Sequence, residues 1–191
     1  HIYTHALRLK AGTNEYNAIF YCGGIVLSKL ISQLGLSEAT GNGTVLGRIP
    51  VRLDKNGLAF THGYLYSVPG EGKKIKLLDT GKLLESIPKE TQQFTQLDIA
   101  SEALKDFDYK WVKLDLNTHG EELKLRMELN GKAAKALPFT YDKKKNAFIR
   151  VKGRGAKFQG IRLDVNSNIP LNRLMLISNK LKKLLGGAKS Q

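Results

Sequence analysis

The groups in this sequence that can do chemistry are few and scattered. Of the four histidines, His1 and His5 fall in a segment that reads as strand, His62 stands alone, and His119 sits in a turn. No two of them share a helix at ligand spacing, so a metal site lacks its ligand count. Cys22 is the sole cysteine, has no CxxC partner and adjoins Gly23-Gly24, which points to a buried, inert thiol. Asp106 and Asp108 share one side of a strand if one starts there. That spacing can pair carboxylates for acid–base work, and it equally belongs to an exposed polar face. The chain lacks a nucleophile elbow, a P-loop and a dinucleotide fingerprint. No catalytic constellation results, and nothing asks for a cofactor.

The remaining chemistry is charge. Residues 1–142 carry 18 basic and 16 acidic side chains, whereas residues 143–191 carry 13 basic ones and a single acid, Asp164. Three readings suit such a tail: a solvated face, contact with anionic lipid headgroups, or contact with nucleic acid. Phe148, Arg150, Lys152 and Arg154 share strand parity, with Phe158 nearby. One aromatic in the strand is a weak stacking platform for bases.

The elements that must position these groups are mostly strands. His1–Lys10, Tyr16–Cys22, Thr44–Leu53, Leu58–Val68 and Lys73–Asp79 read as strands. Pro50 confines its strand to an edge or a strand junction. Asp54-Lys55-Asn56-Gly57 makes a hairpin turn. Leu27, Leu30, Ile31 and Leu34 recur at helical spacing, and Gly35 suits the stop. Residues 80–106 are helical in two pieces, Thr80–Ile87 and one capped by Thr91 or Thr95. Val112, Leu114 and Leu116, then Leu123, Leu125, Met127 and Leu129, alternate with polar residues as half-buried strands. Turns are expected at Asn117–Gly120 and Asn130-Gly131, and residues 132–146 read as a long loop. Ala147–Arg154 and Lys157–Val165 are further strands. Pro170–Leu185 reads as an amphipathic helix capped by Ser167 or Asn168.

The expected fold is therefore mainly β, with some α. It is a curved antiparallel sheet of seven to nine strands forming a groove or half-barrel, with three or four helices including the C-terminal one. Residues 1–185 form one domain and 186–191 a flexible tail. At 191 residues with 41% hydrophobic and 25% charged side chains, wholesale disorder is excluded. One cysteine excludes a disulfide framework, and no apolar run reaches the length of a spanning helix. The chain starts at His1 with no methionine and no signal pattern, and it reads as a piece of a longer protein.

Residues 35–76 are more specific than these generalities. Their order of Gly41, Gly43, Gly47, Ile49, Pro50, Gly57, Gly63, Leu65, Pro69 and Gly70 resembles the C-terminal region of the AsmA-like bridge proteins, closest to the YdbH branch, also labelled a dicarboxylate transport domain. Ala103–Tyr109 resembles that family's helix-to-strand junction. Leu123–Gly131 and Val165–Leu174 resemble its later strands and final helix. The likeness runs over roughly residues 25–185.

The resemblance implies a non-enzymatic module of a periplasmic protein, anchored in the inner membrane of a Gram-negative bacterium by an upstream helix. It would carry phospholipid towards the outer membrane along an apolar β-groove, with a small outer-membrane lipoprotein as possible partner. Leu58, Phe60, Val112, Leu114, Leu116, Leu123, Leu125, Met127, Leu129, Ile161, Leu163 and Val165 would line the groove. Lys180, Lys182 and Lys183 would meet headgroups of a membrane surface or an acidic partner. Each buried methylene contributes about 0.8 kcal/mol, so one acyl chain gains on the order of 10 kcal/mol before entropic costs. The same apolar stripe is what a plain β-sandwich core looks like. Two rivals stay open: strand addition by a partner at a sheet edge, and nucleic-acid binding through the basic quarter.

Overall fold

The computed structural model describes residues 1–10, 15–68, 70, 73–80, 92–153, 155–158 and 160–171. Its strands are β1 (Ile2–Lys10), β2 (Glu15–Val26), β3 (Ala39–Gly41), β4 (Thr44–Asp54), β5 (Gly57–Phe60), β6 (Gly63–Tyr66), β7 (Lys73–Leu77), β8 (Phe107–His119), β9 (Glu122–Ala133), β10 (Phe139–Asp142), β11 (Ala147–Arg150) and β12 (Ile161–Pro170). The helices are α1 (Leu27–Gln33) and α2 (Gln92–Leu104). Ten strands form one antiparallel sheet, and β10 and β11 form a separate hairpin. The sheet is a meander. β1 pairs β2, β2 pairs β4, β4 pairs β5 and β6, β6 and β7 pair β8, β8 pairs β9, and β9 pairs β12. β3 extends the line of β4 by pairing β7. Among the described residues β1 and β12 do not meet, so the sheet stays open.

Several expectations are corrected. The main sheet holds ten strands, more than seven to nine, and the described residues hold two helices. Residues 81–87 and 172–185, where further helix was expected, lie outside the described residues, as does Thr91. Thr95 lies inside α2 and caps nothing. Ser167 and Asn168 lie inside β12, paired with Leu125 and Lys124, so they are strand residues and not helix caps. Asn130-Gly131 is no turn. Both residues lie within β9, where Gly131 faces Tyr109 and Ile161. The turn expected at Asn117–Gly120 is tighter, with Gly120 at φ 60° beside Glu121 between the paired His119 and Glu122. The stretch read as a loop contains β10.

Other readings hold. α1 buries Leu27, Ile31 and Leu34 and ends at Gly35, whose φ of 70° suits a residue without Cβ. Seven residues are too few for a stable isolated helix. It is held by those apolar contacts, by the Leu27 amide donating to the Gly43 carbonyl at 2.9 Å, and by Ser28 Oγ donating to the Gly41 carbonyl at 3.2 Å. Asp54 Oδ1 accepts the Asn56 amide at 2.8 Å and shapes the β4–β5 turn. Pro50 marks the junction where the partner of β4 changes from β5 to β6. Its carbonyl accepts from the Thr61 amide at 3.1 Å, so its missing N–H falls where no ladder bond is required.

The sheet has one apolar and one polar face. The row Cys22–Gly47–Leu65–Leu114–Met127–Val165 crosses six strands on the apolar face. On the other face the row Tyr3–Tyr21–Arg48–Tyr64–Asp115–Arg126–Asn166 crosses seven. There Tyr3 stacks on Tyr21 at 5.6 Å, and Arg48 lies 5.3 Å from the Tyr64 ring centre. Two irregularities keep the apolar residues aligned. His62, at φ 50°, breaks the expected Leu58–Val68 strand, so that Phe60 and then Leu65 face the same way. A register shift between Tyr109 and Trp111 does the same for Tyr109 and Val112.

Candidate functional site

The predicted groove residues come together on the apolar face. Val112 pairs Leu129, which pairs Leu163, and Leu114 pairs Met127, which pairs Val165. Leu116 pairs Leu125. These, with Leu123, join the core, where Leu114 and Leu129 are 0% exposed and Leu163 is 8% exposed. Ile161 and Val165 are half-buried against that core. α1 and α2 lie over one end of this face. Leu27 and Ile31 of α1, Leu34 just after it, and Ala103 and Leu104 of α2 share its core.

The other end is less covered. Leu58 and Phe60 are half-buried there, opposite Leu53 and Val51. Leu53 is 41% exposed and its partner on the far side, Tyr16, is 42% exposed. Thr118 Oγ1 accepts the Phe60 amide at 2.8 Å and ties this end to β8. The apolar face thus runs from a helix-covered end to an open one.

Between the covering helices and the sheet lies a cavity of about 160 Å³. Ile31, Leu36, Leu77, Leu104, Met127 and Val165 give it apolar walls, and Ser37, Asp79, Asn166 and Ser167 add polar groups. An apolar cavity of about 150 Å³ accommodates benzene, so this one has room for the end of one acyl chain. Met127 and Val165 were expected as groove residues. Leu104, Leu36, Leu77 and Ile31 were not, because they come from helices, the connection after α1 and a short strand, whose approach to the sheet leaves no periodic trace.

The polar candidates resolve into structural roles. Lys74 Nζ lies 3.5 Å from Asp106 and 3.6 Å from Asp108, so the two carboxylates share an ammonium. Cys22 is buried, and burial pushes its thiol pKa up, away from a nucleophile. Among the described residues no three His, Cys, Asp or Glu side chains group as metal ligands. Lys180, Lys182 and Lys183 lie outside the described residues.

A second cluster was not foreseen. Arg150 of β11 donates to Asp98 at 2.5 and 3.0 Å and to Glu102 at 3.1 Å, fastening the β10–β11 hairpin to α2. Its guanidinium also stands 5.0 Å from the centre of the buried Phe139 ring. Burial alone would raise the Glu102 pKa, but hydrogen bonds from Lys105 and Arg150 and their charges hold it below the ordinary value.

Comparison with known proteins adds one match. The model of the YdbH-like family, described as intermembrane phospholipid transport protein YdbH, matches residues 1–137. It takes in β1 and β2, upstream of the likeness read from the sequence, and stops before β10. No curated protein and no solved structure matches the chain. No helix among the described residues is long and apolar enough to cross a membrane. The match covers most of the chain, and the chain belongs to the YdbH-like family of intermembrane phospholipid transport.

Proposed function

We propose that this chain is a non-enzymatic segment of a periplasmic bridge, which conducts phospholipid along the apolar face of its open sheet. The full protein would be anchored in the inner membrane and deliver towards the outer membrane. The observation that carries this reading is the continuity of the apolar face. It crosses six strands to the cavity at Met127 and Val165, and β5 adds the half-buried Leu58 and Phe60 beside β4. About five methylenes seated in that cavity would contribute about 4 kcal/mol. A whole phospholipid exceeds it, so passage requires α1 or α2 to yield.

Native mass spectrometry of the purified chain tests the reading. Leu58→Lys places a charge at half-buried position 58, from which a lysine stem can carry its ammonium to solvent. Bound phospholipid in the parent and its loss in a still-folded Leu58→Lys protein support conduction. A parent free of lipid from a lipid-rich preparation removes it. Leu125→Lys and Leu163→Lys are poorer probes, because burying an ammonium at these core positions threatens folding itself.

A second reading has its own observation. β1 and β12 each lack a second neighbour among the described residues, which leaves two edges able to accept a strand from a partner such as a small lipoprotein. A proline at an outward-facing amide of β12 would abolish capture of such a partner while leaving bound lipid in place.

A further inference from the structure

The β10–β11 hairpin stands apart from the main sheet and lies beyond the residues that the family model matches. Its tip is Lys143-Lys144-Lys145, three consecutive exposed lysines. None of the three ammonium groups has a carboxylate within ion-pair distance among the described residues. The turn beneath them is well ordered by hydrogen bonds. Asp142 Oδ1 accepts the amides of Lys144 and Lys145 at 2.8 and 3.3 Å, Asn146 takes a φ of 49°, and Tyr141 Oη donates to Asn146 Oδ1.

One side of the hairpin is aromatic. Tyr141 and Phe148 are direct cross-strand partners with ring centres 5.4 Å apart, 47% and 36% exposed. Phe148 in turn meets Phe158 at 5.3 Å, and Phe158 packs against the core. A file of three rings therefore runs outward from the core and ends in solvent just below the lysines. Lys152 and Lys157 are exposed beside it. At the base, Arg150 is spent on Asp98 and Glu102, so the hairpin is fixed while its tip keeps its charge.

We propose that this hairpin docks the protein on an anionic phospholipid membrane surface. The lysines would meet headgroup phosphates while Tyr141 and Phe148 enter the interfacial layer. The Tyr141 ring with its hydroxyl tip favours that layer, the Phe148 ring adds apolar contact, and each lysine near an anionic surface adds attraction that salt weakens. A membrane fits better than a nucleic acid, because the Tyr141 and Phe148 ring planes meet at 68° and those of Phe148 and Phe158 at 42°, so the rings do not form the parallel platform on which successive bases stack. The choice of a membrane partner rests on the transport reading. The site itself rests on the hairpin.

Vesicle co-sedimentation of the 191-residue chain tests this. The probes are phosphatidylcholine vesicles with and without about one third phosphatidylglycerol. The parent is expected on the anionic vesicles only. Replacing the three tip residues (Lys143→Gln, Lys144→Gln, Lys145→Gln) is expected to weaken partition on the order of a hundredfold. Tyr141→Ser with Phe148→Ser is expected to weaken it about tenfold while keeping the salt dependence. Thermal melts establish that the variants fold.

Failure of the parent to bind anionic vesicles overturns the proposal. So does a loss confined to Lys180→Gln, Lys182→Gln and Lys183→Gln with the hairpin variant binding as the parent does. Hairpin-dependent oligonucleotide binding without vesicle binding also overturns it. Co-purified lipid is scored separately: vesicle binding without it would leave the hairpin standing and remove the transport reading.

Discussion

Gly131 of β9 faces Tyr109 of β8 so closely that a Cβ at 131 would lie 2.6 Å from the Tyr109 Cα and overlap the Asp108 carbonyl oxygen. The register shift between Tyr109 and Trp111 sits at this contact. Glycine here lets two backbones approach, which is a different task from forming a turn. Gly131→Val is expected to destabilise the fold by about 1–3 kcal/mol, read from the urea midpoint. An unchanged midpoint would mean that the strands can part at no cost.

The cavity between the helices and the sheet gives a test that spares the fold. Val165→Phe adds bulk at a half-buried wall position facing open space. Thermal stability should hold, or rise slightly, while lipid occupancy by native mass spectrometry falls several-fold. Unchanged occupancy in the filled variant would place bound lipid elsewhere on the molecule.

Arg150 should contribute in a pH-dependent way. Its partner Glu102 titrates below the ordinary carboxylate value in the folded protein. The stabilisation is therefore complete above the unfolded value of about 4.3 and is lost as pH falls through the lower folded value. Arg150→Ala is expected to cost about 1 kcal/mol at neutral pH, since the guanidinium is half exposed. That gap should close in acid. A gap that persists once Glu102 is protonated would assign the loss to the other contacts of Arg150, the Phe139 ring among them.

Arg126 and Asp164 make the contrasting case. Their contact is short, at 2.5 Å, yet the side chains are 51% and 39% exposed at the β9–β12 pair. Asp164→Ala should leave the denaturation midpoint unmoved, because solvent screens exposed pairs. A clear loss of stability would show that this pair holds β12 to the sheet.

Where side-chain periodicity was strong, the sequence could be read directly. Leu27, Ile31 and Leu34 announced α1, and the alternation through Leu129 announced β9. Asp54–Gly57 announced its turn. The failures share a cause, which is that short-range signals were overruled by distant partners. Asn130-Gly131 carries turn chemistry, yet β8 and β12 hold it extended from both sides. Ser167 and Asn168 suit a helix start, but pairing with Leu125 and Lys124 extends them. β10 was hidden because its strand is four residues long and is defined by its partner β11. Which side chains share the apolar face was legible, and how deeply each is covered was not. Whether a leucine faces lipid or core depends on α1 and α2, whose docking no single strand encodes.

The meander has a consequence for how the molecule is assembled. Almost every strand lies beside one close to it in sequence, and two-residue turns join β4 to β5 and β8 to β9. Closing such short loops costs little entropy. A chain emerging gradually from a translocation pore would not need its far end to begin. Most strands would find a partner already in place, while β3 would wait for β7 and β10 for β11.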